Sequence, residues 1–190
     1  NNGISKDVAE ILFEQMTEFS KYAFNKSHAA VYAWASYQTA WLKYHYPMQF
    51  LTAMLNNKDL DEYEPIFEDL NYFEIPLLQP DINHSSLDFI IEKKCIRYGL
   101  CNIKGIGNAN IPLFERIIAN RPYRSFNDFL LKTGFIDDKP DIPDKKIIET
   151  FANVGIFDSL HPNRNSVLEA FIKMNLQKSD SEAEIRRKIN

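Results

Sequence analysis

The chain has 190 residues, of which 45% are apolar and 25% charged, with a formal net charge of −4. That balance suits a globular protein with a sizeable core and room for one domain or two, and no apolar run reaches the roughly 20 residues of a membrane-spanning helix. Cys95 and Cys101 form no CxxC pair and the four histidines are scattered, so no metal-ligand spacing exists and the thiols read as reduced cysteines of a cytoplasmic protein.

The first residues, NNGISKDVAE, are not a signal peptide and enter a helical pattern without a starting Met, as a piece of a larger protein would. Residues 5–23 read as an amphipathic helix capped by Ser5, with Val8, Ile11, Leu12, Met16 and Phe19 at helical spacing. A second helix is expected from about Ser27 to Tyr44, and a third begins near Pro47, since proline fits a first helical turn. Tyr63, Ile66, Phe67 and Leu70 mark a short acidic helix, followed by a proline-punctuated loop over 75–83. Residues 87–100 read as a small β-hairpin turning at Glu92, Lys93 and Lys94. Helices follow to Asn120, over 125–133 with Ser125 as cap, over 144–153 ahead of a turn at Gly155, and over about 165–176. For the polar tail from Lys178, both a helical extension and disorder are open.

The small net charge conceals strong patterning. Between Glu18 and Asp59 the formal charges are Lys21, Lys26, Lys43 and Lys58 alone, while residues 59–91 carry nine acids and no lysine or arginine. Residues 92–124 turn basic again through Lys93, Lys94, Arg97, Lys104, Arg116, Arg121 and Arg124. Two acid-poor segments around an acidic one suggest two anion-facing surfaces, although charge runs are commonly no more than solvated faces.

Within the basic segment, NIKGIGNANIPLFERIIANR places Ile103, Gly105, Ile106 and Gly107 between two helical stretches. Glycines around one buried aliphatic residue allow a tight hairpin that leaves backbone N–H groups uncovered at the following helix start, where the dipole favours a phosphate. Lys104 adds a formal charge beside them. The pattern resembles the helix-hairpin-helix motif, which grips nucleic-acid backbone without reading bases. The DNA-facing residues expected from it are Lys104, Gly105, Ile106, Gly107, Asn108 and Arg116. A connection that binds nothing is the plainer alternative. Around Gly155 a second unit lacks the paired glycines and reads as a degenerate partner, with core packing favoured over phosphate contact by Arg164.

The stretch FNKSHAAVYAWASYQTAWLKYHYP raises a different question. On a helical wheel His28, Tyr32, Ala35, Ser36, Thr39, Lys43 and Tyr46 share one stripe, while Trp34, Tyr37 and Trp41 gather elsewhere as an aromatic core side. Asn25, Lys26 and Ser27 precede the stripe at the helix start, where a triphosphate would find free N–H groups and the positive dipole end. From the residues alone, Asn25 or Ser27 as a simple cap is favoured over that ligand.

This block resembles the fingers region of bacterial C-family replicative DNA polymerases, in which F-N-K-S-H-A-x-x-Y and S-Y-Q-x-A-x-L-K-x-x-Y-P recur. A P-D-x-N-x-S segment (Pro80, Asp81, Asn83, Ser85) and G-L-x-x-I-K-G-x-G (from Gly99 to Gly107) follow in the family's order. The resemblance covers most of residues 1–160. It implies a mainly α fold: a helical fingers segment (1–57), an acidic helical connector and loop (58–86), a β-hairpin with a tandem helix-hairpin-helix domain (87–177), and a polar tail (178–190). It implies nucleotide contacts by Asn25, Lys26, Ser27, His28, Tyr32, Gln38 and Lys43, with Lys26 and His28 on the triphosphate.

The implied enzyme is a DNA-directed DNA polymerase, a nucleotidyltransferase of chromosome replication. Its partners would be primer-template duplex, the incoming deoxynucleoside triphosphate and other subunits of the replicative holoenzyme, with no membrane. Its catalytic aspartates and their Mg²⁺ ions belong to a palm that these residues do not include. The fragment alone is therefore expected to hold no metal, to carry no catalytic residue and to be inactive. Trp34 is bulkier than the family pattern suggests, Cys101 stands where a small residue is usual, and the family's clamp-binding motif has no match before Asn190. Two other readings compete: a stand-alone helix-hairpin-helix DNA-binding module, and a protein–protein scaffold using the acidic surface of residues 59–74.

Overall fold

The computed structural model describes every residue except 1, 2, 23, 24, 107, 137, 138 and 178, together with all side chains of the described residues but those of 21, 22 and 108. The chain divides into two units, Asn1–His45 and Tyr46–Asn190. Its described residues form nine α-helices and five short strands.

The first unit consists of α1 (Lys6–Tyr22) and α2 (Lys26–His45). Ser5 precedes α1 as expected, its carbonyl accepting from the Ala9 N–H. The aromatic core side expected for α2 is not buried: Trp34 is 61% exposed, Tyr37 60% and Trp41 43%. No side chain of α2 is buried, and Val8, Ile11, Leu12, Met16 and Phe19 of α1 are exposed as well. Among the described residues of this unit none is buried, so helical spacing gives a stripe without giving it a cover.

The second unit holds two hydrophobic cores. In the first, α3 (Pro47–Asn57) and α4 (Glu64–Tyr72) pack Leu51, Leu55, Tyr63, Ile66 and Leu70 against Phe89 and Ile96. The expected grouping put residues 1–57 together, yet α3 sits with the second unit because Leu51 and Leu55 are buried there. Asn56 fixes this docking, donating from Nδ2 to the Phe89 carbonyl (3.0 Å) and accepting the Phe89 N–H at Oδ1 (2.9 Å). The hairpin is present as β2 (Ile90–Glu92) antiparallel to β3 (Cys95–Arg97). The proline-flanked loop also contributes a strand, β1 (Leu77–Leu78), parallel to β3 with Leu77 opposite Ile96. A strand of two residues is too short to show alternation, which is why the sequence pattern hides it.

The second core is built by α5 (Ile111–Ala119), α6 (Phe126–Thr133), α7 (Lys145–Asn153), α8 (Arg164–Met174) and α9 (Glu182–Ile189). A small antiparallel pair, β4 (Phe135–Ile136) and β5 (Lys139–Pro140), joins α6 to α7. Ser125 caps α6 as its sequence suggests, accepting the Asp128 N–H at 3.1 Å. Phe126, Phe129 and Phe157 meet edge to face or stacked at 5.1–6.1 Å, an arrangement that adds to the burial of each ring. Within the polar tail, Glu182–Ile189 is a helix: Ser181 and Glu184 form a capping box, and Ile185 and Ile189 are buried in the core.

Candidate nucleic-acid interface

The glycine hairpin is anchored by two buried aliphatic side chains, Ile103 and Ile106. The Ile106 N–H donates to the Ile103 carbonyl at 3.2 Å, closing the turn between them. Gly105 occupies φ +90°, a region that side-chain-bearing residues rarely adopt, and nothing lies within 4 Å of the place where its Cβ would stand. Lys104 and Gly105 are exposed. The turn thus presents bare backbone and one lysine to solvent, just ahead of α5. The first turn of α5 contains no acidic residue and its N-cap makes no side-chain cap hydrogen bond, while a 3-10 turn, Asn108–Asn110, leads directly into it. Pro112 withdraws one N–H from that end. Gly107 and the Asn108 side chain lie outside the described residues.

Arg116 is turned away from this surface. Its Nη1 pairs with Asp141 Oδ2 at 2.8 Å, its Nη2 reaches the Asp141 carbonyl at 3.3 Å, and its side chain is 14% exposed. The guanidinium is thus already engaged in a tie between α5 and the segment before α7, with Asp141 half exposed beside it. Other members of the basic run are also used internally. Arg97 pairs with Glu92 and donates to the Gln79 carbonyl at 2.8 Å. Arg121 donates to the carbonyls of Ile82 (2.7 Å) and Ser85 (2.6 Å), and burial pulls its guanidinium pKa down. Lys93, Lys94, Lys104 and Arg124 remain exposed.

Arg121 and Asn83 together hold the Pro80–Ser85 segment of the second motif block. Asp81 accepts the Asn83 N–H at 2.7 Å and meets His84 Nδ1 at 2.8 Å. Burial pushes the Asp81 carboxyl up, but hydrogen bonds from Ser159, His84 and the Asn83 N–H outweigh it and hold the carboxyl below its ordinary range. These residues are structural staples between the second motif block and the helical core.

In the first unit, Asn25 caps α2, its Oδ1 accepting from the Ser27 N–H (3.0 Å) and Ser27 Oγ (2.7 Å). The capping role weighed from the residues is therefore present. Lys26, His28, Tyr32 and Gln38 are exposed on the helix, with the rings of His28 and Tyr32 4.3 Å apart. Thr39 Oγ1 donates back to the carbonyls of Ala35 and Ser36. Lys43 lies about 26 Å along the helix from Lys26 at the usual rise per residue, so one triphosphate cannot touch both. Tyr46, placed on the stripe by sequence, lies past the helix end and precedes Pro47 as the N-cap of α3.

Residues 74–167 match the family model described as a helix-hairpin-helix motif, which spans both glycine turns. DNA polymerase III subunit alpha of Borreliella burgdorferi is 39% identical over 170 residues, which is 88% of this chain and 14% of the relative. That of Chlamydia muridarum is 35% identical over 167 residues, 86% of this chain and 13% of the relative. The Neisseria meningitidis serogroup B protein is 36% identical over 188 residues, 95% of this chain. This chain is homologous to a segment of DNA polymerase III subunit alpha. It spans between 13% and 16% of the length of these relatives. Both units lie within the homology, because an alignment covering 95% of this chain leaves out too few residues to miss either. No three His, Cys, Asp or Glu among the described residues converge as a metal site would require, and no helix there is long and apolar enough to cross a membrane.

Proposed function

We propose that this chain is the part of a replicative DNA polymerase that supplies a nucleotide-facing fingers helix and a hairpin gripping duplex backbone. The observation that carries this reading is the homology to DNA polymerase III subunit alpha across both units, joined to an exposed glycine turn beside Lys104. The hairpin offers backbone donors, a lysine and a helix start without acidic residues, a combination that suits phosphate and ignores base identity. Duplex bound this way is held with a strong salt dependence. The fingers role rests on the homology and on the exposure of Lys26 and His28 at the positive end of α2. A cation there would offset charge developing on the leaving pyrophosphate and so lower the barrier to nucleotide transfer. Mg²⁺ and the catalytic aspartates belong to a palm outside these residues, and the whole enzyme carries out template-directed synthesis with primer-template DNA, deoxynucleoside triphosphates and the other holoenzyme subunits.

Two measurements test this. Lys26→Ala and His28→Ala, placed in the complete polymerase, raise the KM for nucleotide or lower turnover, and unchanged kinetics in both removes the triphosphate assignment. Titration of this chain with duplex DNA shows salt-dependent binding of random sequence that Gly105→Val weakens. Absence of binding at low salt leaves the acidic-surface scaffold as the better account.

A further inference from the structure

The two glycine turns present opposite surfaces. Gly105 of the first faces open space, whereas a Cβ on Gly155 would stand 2.2 Å from Arg164 Nη2 and 2.6 Å from Asp158 Oδ2. Both glycines have positive φ, +90° and +80°, so the backbone of the second turn bends as the first does. The difference lies in what covers it. Asp158 lies three residues beyond Gly155, its N–H donating to the Gly155 carbonyl at 3.1 Å. Its carboxylate accepts from Arg164 Nε at 3.0 Å and from Nη2 at 2.6 Å, the two-pronged geometry with which a guanidinium also holds a phosphate. Arg164 is fixed from other directions too: Nη1 donates to the Asn153 carbonyl at 2.7 Å and Nη2 to Gln79 Oε1 at 3.3 Å. The guanidinium is therefore held over the second turn by neutral partners, while its anion-binding edge is filled by the protein's own carboxylate.

We infer that the second hairpin is a latent phosphodiester site closed by Asp158, so that only the first hairpin grips DNA in this chain. This rests on the duplex-binding reading above and extends it to the second turn. An external phosphate must compete with Asp158, a carboxylate tethered six residues from Arg164 and already paired with it at an effective concentration in the millimolar range. A further negative charge beside that carboxylate would also be repelled. Replacing Asp158 by its neutral amide leaves Asn153 and Gln79 to hold the guanidinium and removes the competing charge and the second accepting oxygen from its outer edge.

The test uses this 190-residue chain and duplex DNA of random sequence across a range of salt. Arg164→Ala leaves the affinity unchanged, since Arg164 makes no DNA contact. Asp158→Asn binds about tenfold more tightly, the scale of one charge-assisted phosphate contact, and steepens the salt dependence by about one counterion. Adding Arg164→Ala to Asp158→Asn abolishes the gain. A loss of affinity in Arg164→Ala alone overturns the inference, as does a folded Asp158→Asn chain with wild-type affinity. If the chain binds no duplex at all, the duplex-binding reading fails and inorganic phosphate reads the closure by itself. The Arg164 Nε–Hε resonance then moves on phosphate addition in Asp158→Asn and stays fixed in the wild type, and movement in both or in neither overturns the closure. Where Asp158→Asn does not fold, Asp158→Ser takes its place, and a wild-type Arg164 signal that responds to phosphate still overturns it.

Discussion

The side-chain amide of Asn83 grips the backbone of Tyr123 from both sides, donating from Nδ2 to its carbonyl at 2.9 Å and accepting its N–H at Oδ1 at 2.7 Å. Forty residues apart in sequence, the two join the second motif block to the entry of α6. Asn83→Ala removes both bonds and leaves two backbone groups without partners. A loss of about 2 kcal/mol is expected, read as a lower urea midpoint with an unchanged slope. An unshifted midpoint rules the staple out.

Phe129 is fully buried and meets the rings of Tyr123, Phe126 and Phe157. Phe129→Ala leaves a cavity on every side and is expected to cost about 3–5 kcal/mol. Thermal unfolding followed by near-ultraviolet dichroism measures it, and a melting temperature within a degree of wild type contradicts the packing.

Two glycines should respond differently to alanine. At Gly105 space is open, so Gly105→Ala costs only backbone strain, about 1–2 kcal/mol. At Gly99 a Cβ would stand 2.4 Å from the Asp88 carbonyl carbon, backbone that cannot step aside, so Gly99→Ala costs more. Equal denaturation midpoints for the two variants would falsify this ordering.

Tyr123 sets an alkaline limit. Burial pushes its phenol up from 10.0 to about 12, and its hydroxyl donates to the Ile117 carbonyl at 2.7 Å. Below pH 10 the phenol is protonated in both folded and unfolded chains and its contribution is complete. Between pH 10 and about 12 the unfolded chain releases its proton first, so stability falls as pH rises. In Tyr123→Phe that part of the slope is absent across the same window, as urea titrations at each pH will show.

The helices α1 and α2 bury almost nothing, whereas α7 buries Ile148, Phe151 and Ala152. In this chain, amides of 26–45 should exchange with solvent orders of magnitude faster than those of 145–153. Comparable protection in mass-spectrometric exchange would show that α2 has a cover within the chain.

Local signals carried most of the helix assignments. Ser125 before Phe126, Pro47 at a helix start and Gly155 after α7 each announce a boundary through a backbone preference that neighbours do not override. Partnership was not legible. Arg116 and Lys104 look alike in sequence, yet Asp141, 25 residues beyond Arg116, turns one inward while the other faces solvent. The same holds for Arg97 and Arg121, so the basic run from Lys93 to Arg124 marks partly a surface and partly internal ties. The aromatic side of α2 failed differently, since periodicity reports which residues share a face and says nothing of whether another element covers it.

The docking of α9 bears on where this chain can be cut or extended. Asn127 Nδ2 donates to the Ile189 carbonyl at 2.6 Å, Lys188 Nζ reaches the Asn175 carbonyl at 3.1 Å, and the Arg186 guanidinium lies 4.8 Å from the centre of the Phe135 ring. The last eight-residue helix works as a clasp sewn to α6. A shorter version ending at Met174 would uncover the apolar floor beneath Ile185 and Ile189, so any reporter or affinity tag should be joined beyond Asn190, with a spacer that leaves the clasp shut.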